Sequence, residues 1–206
     1  MGESRSERKR ELVLRAARVI FARDGFSQAG MESVARSAGV STATLYAHFP
    51  GKADLFRIVV EAALADIADR VRQSAEAQGD ARARLRTFGM AYAELYCAAD
   101  SRALFRMVIA ERRRFPGLAD HFRDHARMAL GGTLLAVVGD LARIGEIAID
   151  KPSWAAGQLQ GMIEHATLVL GLVAGDHVMP VRPLETIVHE AVETFLARYA
   201  VRGKAA

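Results

Sequence analysis

The sequence predicts an all-α protein of about nine helices. Apolar residues recur three and four positions apart along most of the chain, which is the spacing of one helical face. Alternating runs of β-branched residues, which would predict strands, are almost absent. Glycine and proline stand between the periodic stretches, at the places where helices are expected to end and begin.

The first fifty residues predict three helices. The first carries an apolar stripe and ends near Gly25, and the second begins after Gly30. Gly39 ends the second helix, because glycine readily adopts the positive φ of a helix terminus. Ser41 is placed to cap the third helix, predicted over residues 42–48. Helix, short turn and helix is the layout of a DNA-reading helix-turn-helix, although two ordinary core helices share this spacing.

The positive charge of the chain is concentrated in this segment. Residues 1–52 carry nine Lys/Arg and five Asp/Glu, a net of +4, and residues 53–206 carry 19 of each. A localised basic excess is expected of a module that binds a polyanion, and a solvated helix face also explains it. The excess supports DNA binding because it coincides with the helix-turn-helix pattern.

Six further helices are predicted after Pro50-Gly51. The fourth begins near Lys52, and Gly131-Gly132 predicts a bend in the seventh. The eighth begins with Pro152 in its first turn and becomes apolar on nearly every side by residues 168–173. Such a helix either lies at the centre of a monomeric bundle or is covered by a second subunit.

The pattern favours a homodimer, because the eighth and ninth helices of two chains would form a two-fold four-helix interface. A helix-turn-helix also commonly reads two half-sites. The apolar residues predicted at this interface are Leu159, Ile163, Leu170, Ile187, Val188, Ala191 and Phe195.

Several classes of protein are excluded by what the sequence lacks. A single cysteine cannot build a disulfide framework, which predicts a reducing cytoplasm. The charged N-terminal stretch is not a secretory signal, and no apolar run approaches the ~20 residues of a membrane span. No phosphate loop, nucleophile elbow or paired carboxylates appear, so the sequence predicts neither an enzyme nor a cofactor.

A zinc site is not predicted either. His121 and His125 have the i, i+4 spacing of a helical zinc pair, but Phe122 occupies the position of the catalytic Glu in HExxH. A packed or solvated helix face is the preferred interpretation of the two histidines.

The run GVSTATLYAHFPGKADLF, preceded by MESVARSA and RDGF, resembles the DNA-binding domain of TetR-family transcriptional regulators over residues 8–56. The run LFRMVIAERRRFPGLADHF more weakly resembles AcrR/AefR-like members. The resemblance implies a DNA-binding domain over residues 1–52 and an effector-binding and dimerisation domain over residues 53–206.

The resemblance also implies which side chains meet DNA. Tyr46 is expected to donate its hydroxyl to a phosphate, and Lys52 to add its ammonium to free N–H groups at a helix start. Ala43 and Ala47 offer only apolar contact, for example to a thymine methyl. Family members commonly have Thr or Ser just before the second helix, where Gly30 stands here, and Ser27 or Ser33 are the alternatives. The DNA-binding residues predicted are Ser33, Ser41, Thr42, Thr44, Tyr46, His48 and Lys52, with His48 alternatively a small polar cap.

In the family, helices four to eight enclose a pocket for a small effector, here expected to be largely apolar. Ordinary core packing is the alternative for each lining residue. Glu164 and His165 lie in an otherwise apolar helix, so a buried polar group there needs a partner, either a ligand or another side chain. The predicted lining residues are Phe88, Tyr92, Tyr96, Phe105, Met107, Phe122, Trp154, Met162 and His165.

Taken together, the sequence predicts a homodimeric repressor that binds a palindromic operator and is released by an effector. In the family mechanism, effector binding would move the fourth helix and change the separation of the two recognition helices. The alternative is an α-helical protein that binds a small molecule or a metal, with a purely structural N-terminal unit. An enzyme ranks third.

Overall fold

A computed structural model describes residues 5–175 and 177–201 of this chain, and the all-α prediction is confirmed. Over these ranges there are nine helices when segments that continue one another are counted once. They are α1 (Arg5–Gln28), α2 (Met31–Ala38), α3 (Thr42–His48), α4 (Lys52–Ala75), α5 (Ala81–Cys97), α6 (Ala99–Glu111), α7 (Pro116–Ala126, Arg127–Gly132 and Thr133–Arg143), α8 (Pro152–Glu164, His165–Val169 and Leu170–Ala174) and α9 (Leu184–Tyr199). Within the same ranges, no helix is both long enough and apolar enough to cross a membrane.

Two glycines interrupt or end helices where the sequence predicts. Gly25 has φ 72° inside α1, so the regular helix stops there and Phe26 turns into the core with 3% of its surface exposed. Gly39 has φ 66° and ends α2, with its N–H donating to the Arg36 carbonyl at 3.2 Å. Both conformations cost glycine little because it has no β-carbon.

The long helices α7 and α8 each contain a π-helical segment. Arg127–Gly132 includes the predicted bend at Gly131-Gly132, and His165–Val169 is the second segment. The Thr167 hydroxyl donates to the Ile163 carbonyl at 2.7 Å. Hydroxyls that bond four residues back compete with the backbone ladder, a recognised cause of local helix distortion.

The chain divides into two compact units. Of the described residues, unit 1 contains those up to Leu64 together with Ala103–Phe122, and unit 2 contains Ala65–Arg102 together with those from Arg123 onward. The division falls inside α4, α6 and α7. The functional boundary at residue 52 that the resemblance implies stays a prediction.

Aromatic rings form the core of unit 1. The ring of Phe26 lies 5.0 Å from that of Phe56 and 4.9 Å from that of Phe115, both edge to face. Phe21 packs edge to face on Phe56 at 5.1 Å. Burial of such rings gives most of the stabilisation available to a small helical unit. This cluster therefore explains why the first part of α4 and Phe115 belong to unit 1.

Unit 2 is built from α5, α7, α8 and α9. Gly89 lets α5 approach α9 closely, because a β-carbon there would lie 2.7 Å from Val188 and 3.3 Å from Ile163. Two ion pairs lie at its edges, Arg82 with Glu193 at 2.6 Å and Arg84 with Asp140 at 2.7 Å. The residues on the faces that these helices share are therefore buried in the core of unit 2.

This packing corrects most of the predicted dimer interface. Four of its seven residues are at most 2% exposed because they fill the core between α8, α9 and α5, where a second chain cannot contact them. The four are Leu159, Ile163, Val188 and Phe195. Ala191 is 4% exposed and lines a groove on the surface of unit 2. Leu170 and Ile187 remain at least partly exposed.

Arg102, in α6, is fully buried in unit 2. Its guanidinium donates to three main-chain carbonyls, those of Tyr96 at 2.8 Å, Thr167 at 2.8 Å and Val178 at 2.6 Å. A buried cation is costly unless its N–H groups are satisfied, so these bonds are required for the arrangement. Gly171 makes the space, because a β-carbon there would overlap the guanidinium.

We expect Gly171→Ala to lower the free energy of unfolding by about 1–3 kcal/mol, because the added methyl group overpacks the site and displaces Arg102. Urea denaturation followed by circular dichroism measures the change. Gly157→Ala is the matched control, since nothing lies within 4 Å of a β-carbon there and alanine favours the helix by up to about 1 kcal/mol. Equal stabilities for the two variants would contradict this account of Arg102.

Candidate nucleic-acid interface

The helix α3 is only seven residues long and depends on its cap and its packing. The Ser41 hydroxyl accepts a hydrogen bond from the Thr44 N–H at 3.1 Å, so the predicted cap is confirmed. The same hydroxyl lies 2.9 Å from that of Thr44. Leu45 and Phe49 are completely buried and place this short helix on the core of unit 1.

The opposite face of α3 is open to solvent. Thr42, Ala43 and Ala47 are exposed, and half of the Tyr46 surface is exposed although its neighbour Leu45 is fully covered. A short helix with an apolar inner face and an uncovered outer face can enter a major groove, which is wide enough for one helix.

The other predicted DNA-binding residues lie on or beside this face. Ser33 on α2 and Ser41 are exposed, whereas Thr44 and His48 are half-buried. The His48 ring packs at 6.2 Å from that of Phe49, which is compatible with either predicted role. The contacts of these residues with DNA stay predictions.

Arg36 is a candidate that the sequence interpretation missed. It is the one basic residue of α2, lies in its last turn and is exposed. A cation in the helix preceding α3 is well placed by sequence for a phosphate contact. The signal that could have found it is its position three residues before the Gly39 turn.

The ammonium of Lys52 is engaged within the protein. It donates to the carbonyls of Ser27 at 3.0 Å and Ala29 at 2.7 Å, and lies 4.7 Å from the centre of the Phe26 ring. The carbonyls that end α1 and precede α2 thus take two of its three N–H groups. The contact of Lys52 with a DNA phosphate stays a prediction.

In unit 2, three of the predicted effector residues lie together in the core. The rings of Phe88 and Tyr92 are 5.5 Å apart, and those of Tyr92 and Tyr96 are 4.6 Å apart. The Tyr92 hydroxyl donates to Glu164 Oε1, and the Tyr96 hydroxyl lies 2.9 Å from the same oxygen. Burial raises the pKa of both phenols above the ordinary value, with Glu164 adding to it, so both remain hydrogen-bond donors. The side chains of Tyr92 and Tyr96 are therefore hydrogen-bond partners of Glu164.

Met162 and His165 line a different place, an open groove of about 390 Å³ on the surface of unit 2. We call it the α8–α9 groove, since it is bounded by α8, residues 180–182 and α9. Leu170 and Ile187 also line it. Residues predicted for the effector and residues predicted for the dimer thus share one surface.

The remaining effector predictions lie elsewhere. Phe105 and Phe122 pack edge to face at 5.2 Å within unit 1, which also contains the buried Met107. The prediction that Trp154 lies with the other effector residues is corrected, because 66% of its surface is exposed and it lines a separate cleft with Tyr199. It lies two residues after Pro152, where α8 begins.

The histidine pair lies apart from any cluster of ligands. His121 Nε2 is 3.9 Å from Glu61 Oε1, and His125 is exposed. Among residues 5–175 and 177–201, no group of three His, Cys, Asp or Glu side chains is arranged to hold a metal ion.

Two family models match the chain along most of its length. One, for bacterial regulatory proteins of the tetR family, matches residues 13–59 and so includes α2, α3 and Lys52. The other, for the C-terminal domain of AefR-like transcriptional repressors, matches residues 83–201. The chain belongs to the TetR family. It is therefore a transcriptional regulator with an N-terminal DNA-binding domain, and this family is not one of enzymes.

Individual relatives agree with this TetR-family assignment. The transcriptional activator FasR of Mycolicibacterium smegmatis is 38% identical over 82 residues, which are 40% of this chain and 37% of FasR. The chain thus spans little more than a third of that relative. A TetR-family regulator from Mesorhizobium loti superposes with a TM-score of 0.87 at 27% identity, covering 97% of this chain and all of the other. The flavonoid-responsive regulator FrrA superposes with a TM-score of 0.72 at 28% identity, covering 95% and 99%.

We expect Lys52→Met to lower the free energy of unfolding of the DNA-free protein by about 1–3 kcal/mol, because two carbonyls lose a charged donor. Arg57→Met on the same helix is the control, since Arg57 is exposed and its pair with Glu61 is a surface i, i+4 contact worth about 0.5 kcal/mol or less. Thermal melting compares the two. A Lys52→Met variant as stable as Arg57→Met would show that the ammonium has no structural role.

Proposed function

We propose that this TetR-family regulator is a repressor that binds a palindromic operator as a homodimer and is released by a small, largely apolar effector. The observation that carries the proposal is the uncovered outer face of α3. It is held on a packed core and bears hydroxyls and methyl groups without a covering element in the described chain.

Phosphate contacts supply the affinity in this proposal. Exposed Thr42 and Tyr46 on α3 can supply hydroxyls to phosphates, exposed Arg36 on α2 can supply a cation, and Lys52 can supply a further ammonium. Such contacts fix the register of a helix in the groove without reading sequence. The net charge of +4 in residues 1–52 favours approach to DNA.

The α8–α9 groove supports dimerisation. Leu170, Ile187 and Met162 contribute apolar side chains to its lining, and Arg182 and Glu190 contribute opposite charges. A surface with both signs around an apolar strip can be complementary to a second copy of itself related by a two-fold axis. We assign the groove to the partner chain, because Leu170 is 48% and Val173 85% exposed on the same helix.

Effector response is supported by the polar cluster of unit 2. Tyr92, Tyr96 and Glu164 are side chains that can exchange their mutual hydrogen bonds for bonds to a ligand, with Phe88 as an apolar wall. FrrA, similar over nearly the whole chain, is described as responsive to flavonoids, which are small aromatic molecules. The match to the model for AefR-like transcriptional repressors supports repression.

Activation is the second candidate for the sign of regulation, because FasR is an activator. A reporter gene placed behind an operator selected from random duplex DNA distinguishes repression from activation. Repression lowers its expression when the protein is present, and activation raises it.

Tyr46→Phe tests whether α3 is the DNA-binding face. We expect binding to the selected operator to weaken about fivefold, the effect of one lost hydrogen bond, with no change in salt slope because no charge is removed. Fluorescence anisotropy between 50 and 200 mM salt measures both quantities. Val19→Thr, at an exposed position of α1, is the control. Binding of the wild type that is independent of salt would overturn the proposal.

Ile187→Glu tests the dimer. We expect a folded monomer in analytical ultracentrifugation, with much weaker binding to the two-half-site operator, because the buried carboxylates of two chains would lack partners. Leu135→Glu is the matched control, an exposed leucine of α7 outside the groove. If both variants stay dimeric, the groove is not the interface.

A further inference from the structure

The outer face of α3 has an unusual composition for a helix that reads DNA. The seven residues TATLYAH include no Arg, Lys, Asn, Gln, Asp or Glu. These are the side chains that make bidentate or accepting contacts to base edges in the major groove. The groups that remain to discriminate between base pairs are hydroxyls, the half-buried imidazole of His48 and the alanine methyl groups.

Most hydroxyl groups on and beside α3 are poorly available for hydrogen bonds to bases. The Thr44 hydroxyl is engaged with that of Ser41 at 2.9 Å. The side chain of Ser41 is in turn used to cap the helix. Thr42 stands in the first turn and Tyr46 carries its hydroxyl at the end of a long ring, both suited to the phosphates on either side.

Two methyl groups form the centre of the face. Ala43 and Ala47 are both exposed and four residues apart, so their β-carbons lie on one side of the helix about 5–6 Å from each other. With a rise of about 3.4 Å per base pair, this separation covers about two base-pair steps. The alanines are short, which lets the helix backbone approach the groove floor closely.

We propose that Ala43 and Ala47 select thymine by contact with its C5-methyl group, so that each half-site contains thymines about two steps apart. The thymine methyl is the apolar group that the major groove presents, and an alanine side chain is one of its usual partners. Cytosine and the purines offer no methyl to cover the two β-carbons. The inference rests on the proposed function, because it requires α3 to be the element in the groove.

The test replaces single thymines by deoxyuridine in an operator selected from random duplexes. Uracil keeps the base pairing and the O4 acceptor and lacks only the methyl. At each contacted position we expect wild-type affinity to fall about fourfold, as for one buried methyl-sized group, and at other positions to stay unchanged. If affinity stays constant at every thymine, the inference is overturned, while operator binding itself remains intact.

A double-mutant cycle assigns each methyl to a residue. In Ala43→Gly or Ala47→Gly the matching uracil substitution should cost nothing further, because the β-carbon that touched the methyl is absent. Ala62→Gly, an exposed position of α4, controls for the general cost of glycine in a helix, and it should retain the fourfold uracil effect.

The outcomes separate two failures. A uracil effect that persists unchanged in both glycine variants would show that another residue reads the methyl, and would overturn the assignment. Failure of the wild-type protein to bind any selected duplex would instead refute the proposed function. Circular dichroism of each variant establishes that it is folded, and the wild-type comparison of thymine with uracil stands without any variant.

Discussion

The outer face of α3 depends on the burial of Leu45 and Phe49 on its inner side. A helix of seven residues does not form by itself in water, because nucleation costs more than so few hydrogen bonds return. The two buried side chains supply the missing free energy, and the Ser41 cap satisfies an N–H that would otherwise lack a partner. The position of α3, and hence of every residue on its outer face, follows from that packing. The guanidinium of Arg10 over the Phe49 ring at 5.7 Å joins α1 to the same arrangement.

Unit 2 has a different organising group. Arg102 brings together the end of α5, the π segment of α8 and the chain after α8 through main-chain carbonyls. Tyr96 takes part in this arrangement with its carbonyl and in the Glu164 cluster with its hydroxyl. Tyr96 therefore belongs both to the predicted effector residues of α5 and to the hydrogen bonds of Arg102 that hold α8 in place. Packing of this kind has few intermediate arrangements, which is a requirement for a switch between discrete states.

Features that depend on local chemistry could be read from the sequence. Helix bounds, the cap at Ser41 and the turn at Gly39 follow from residues within a few positions of one another. The burial of Arg102 could not be predicted from the sequence. An arginine in the first turn of an amphipathic helix is expected at the surface, and only the fold brings Gly171 beside it. The hydrogen-bond acceptors of the Lys52 ammonium could not be predicted for the same reason, since they lie 23 and 25 residues away in the chain. For α8 and α9, periodicity shows which residues are apolar but not which of them pack within the same chain, so Leu159, Ile163, Val188 and Phe195 proved to be core.

In the proposed function, two copies of α3 read two half-sites related by a two-fold axis. Selection of bound sequences from a pool of random duplex DNA by the purified full chain, followed by sequencing, tests this arrangement. We expect an enriched inverted repeat whose half-site centres are separated by about one helical turn, 10–10.5 base pairs, or a multiple of it. Enrichment of a single asymmetric site, or of no sequence at all, would contradict it.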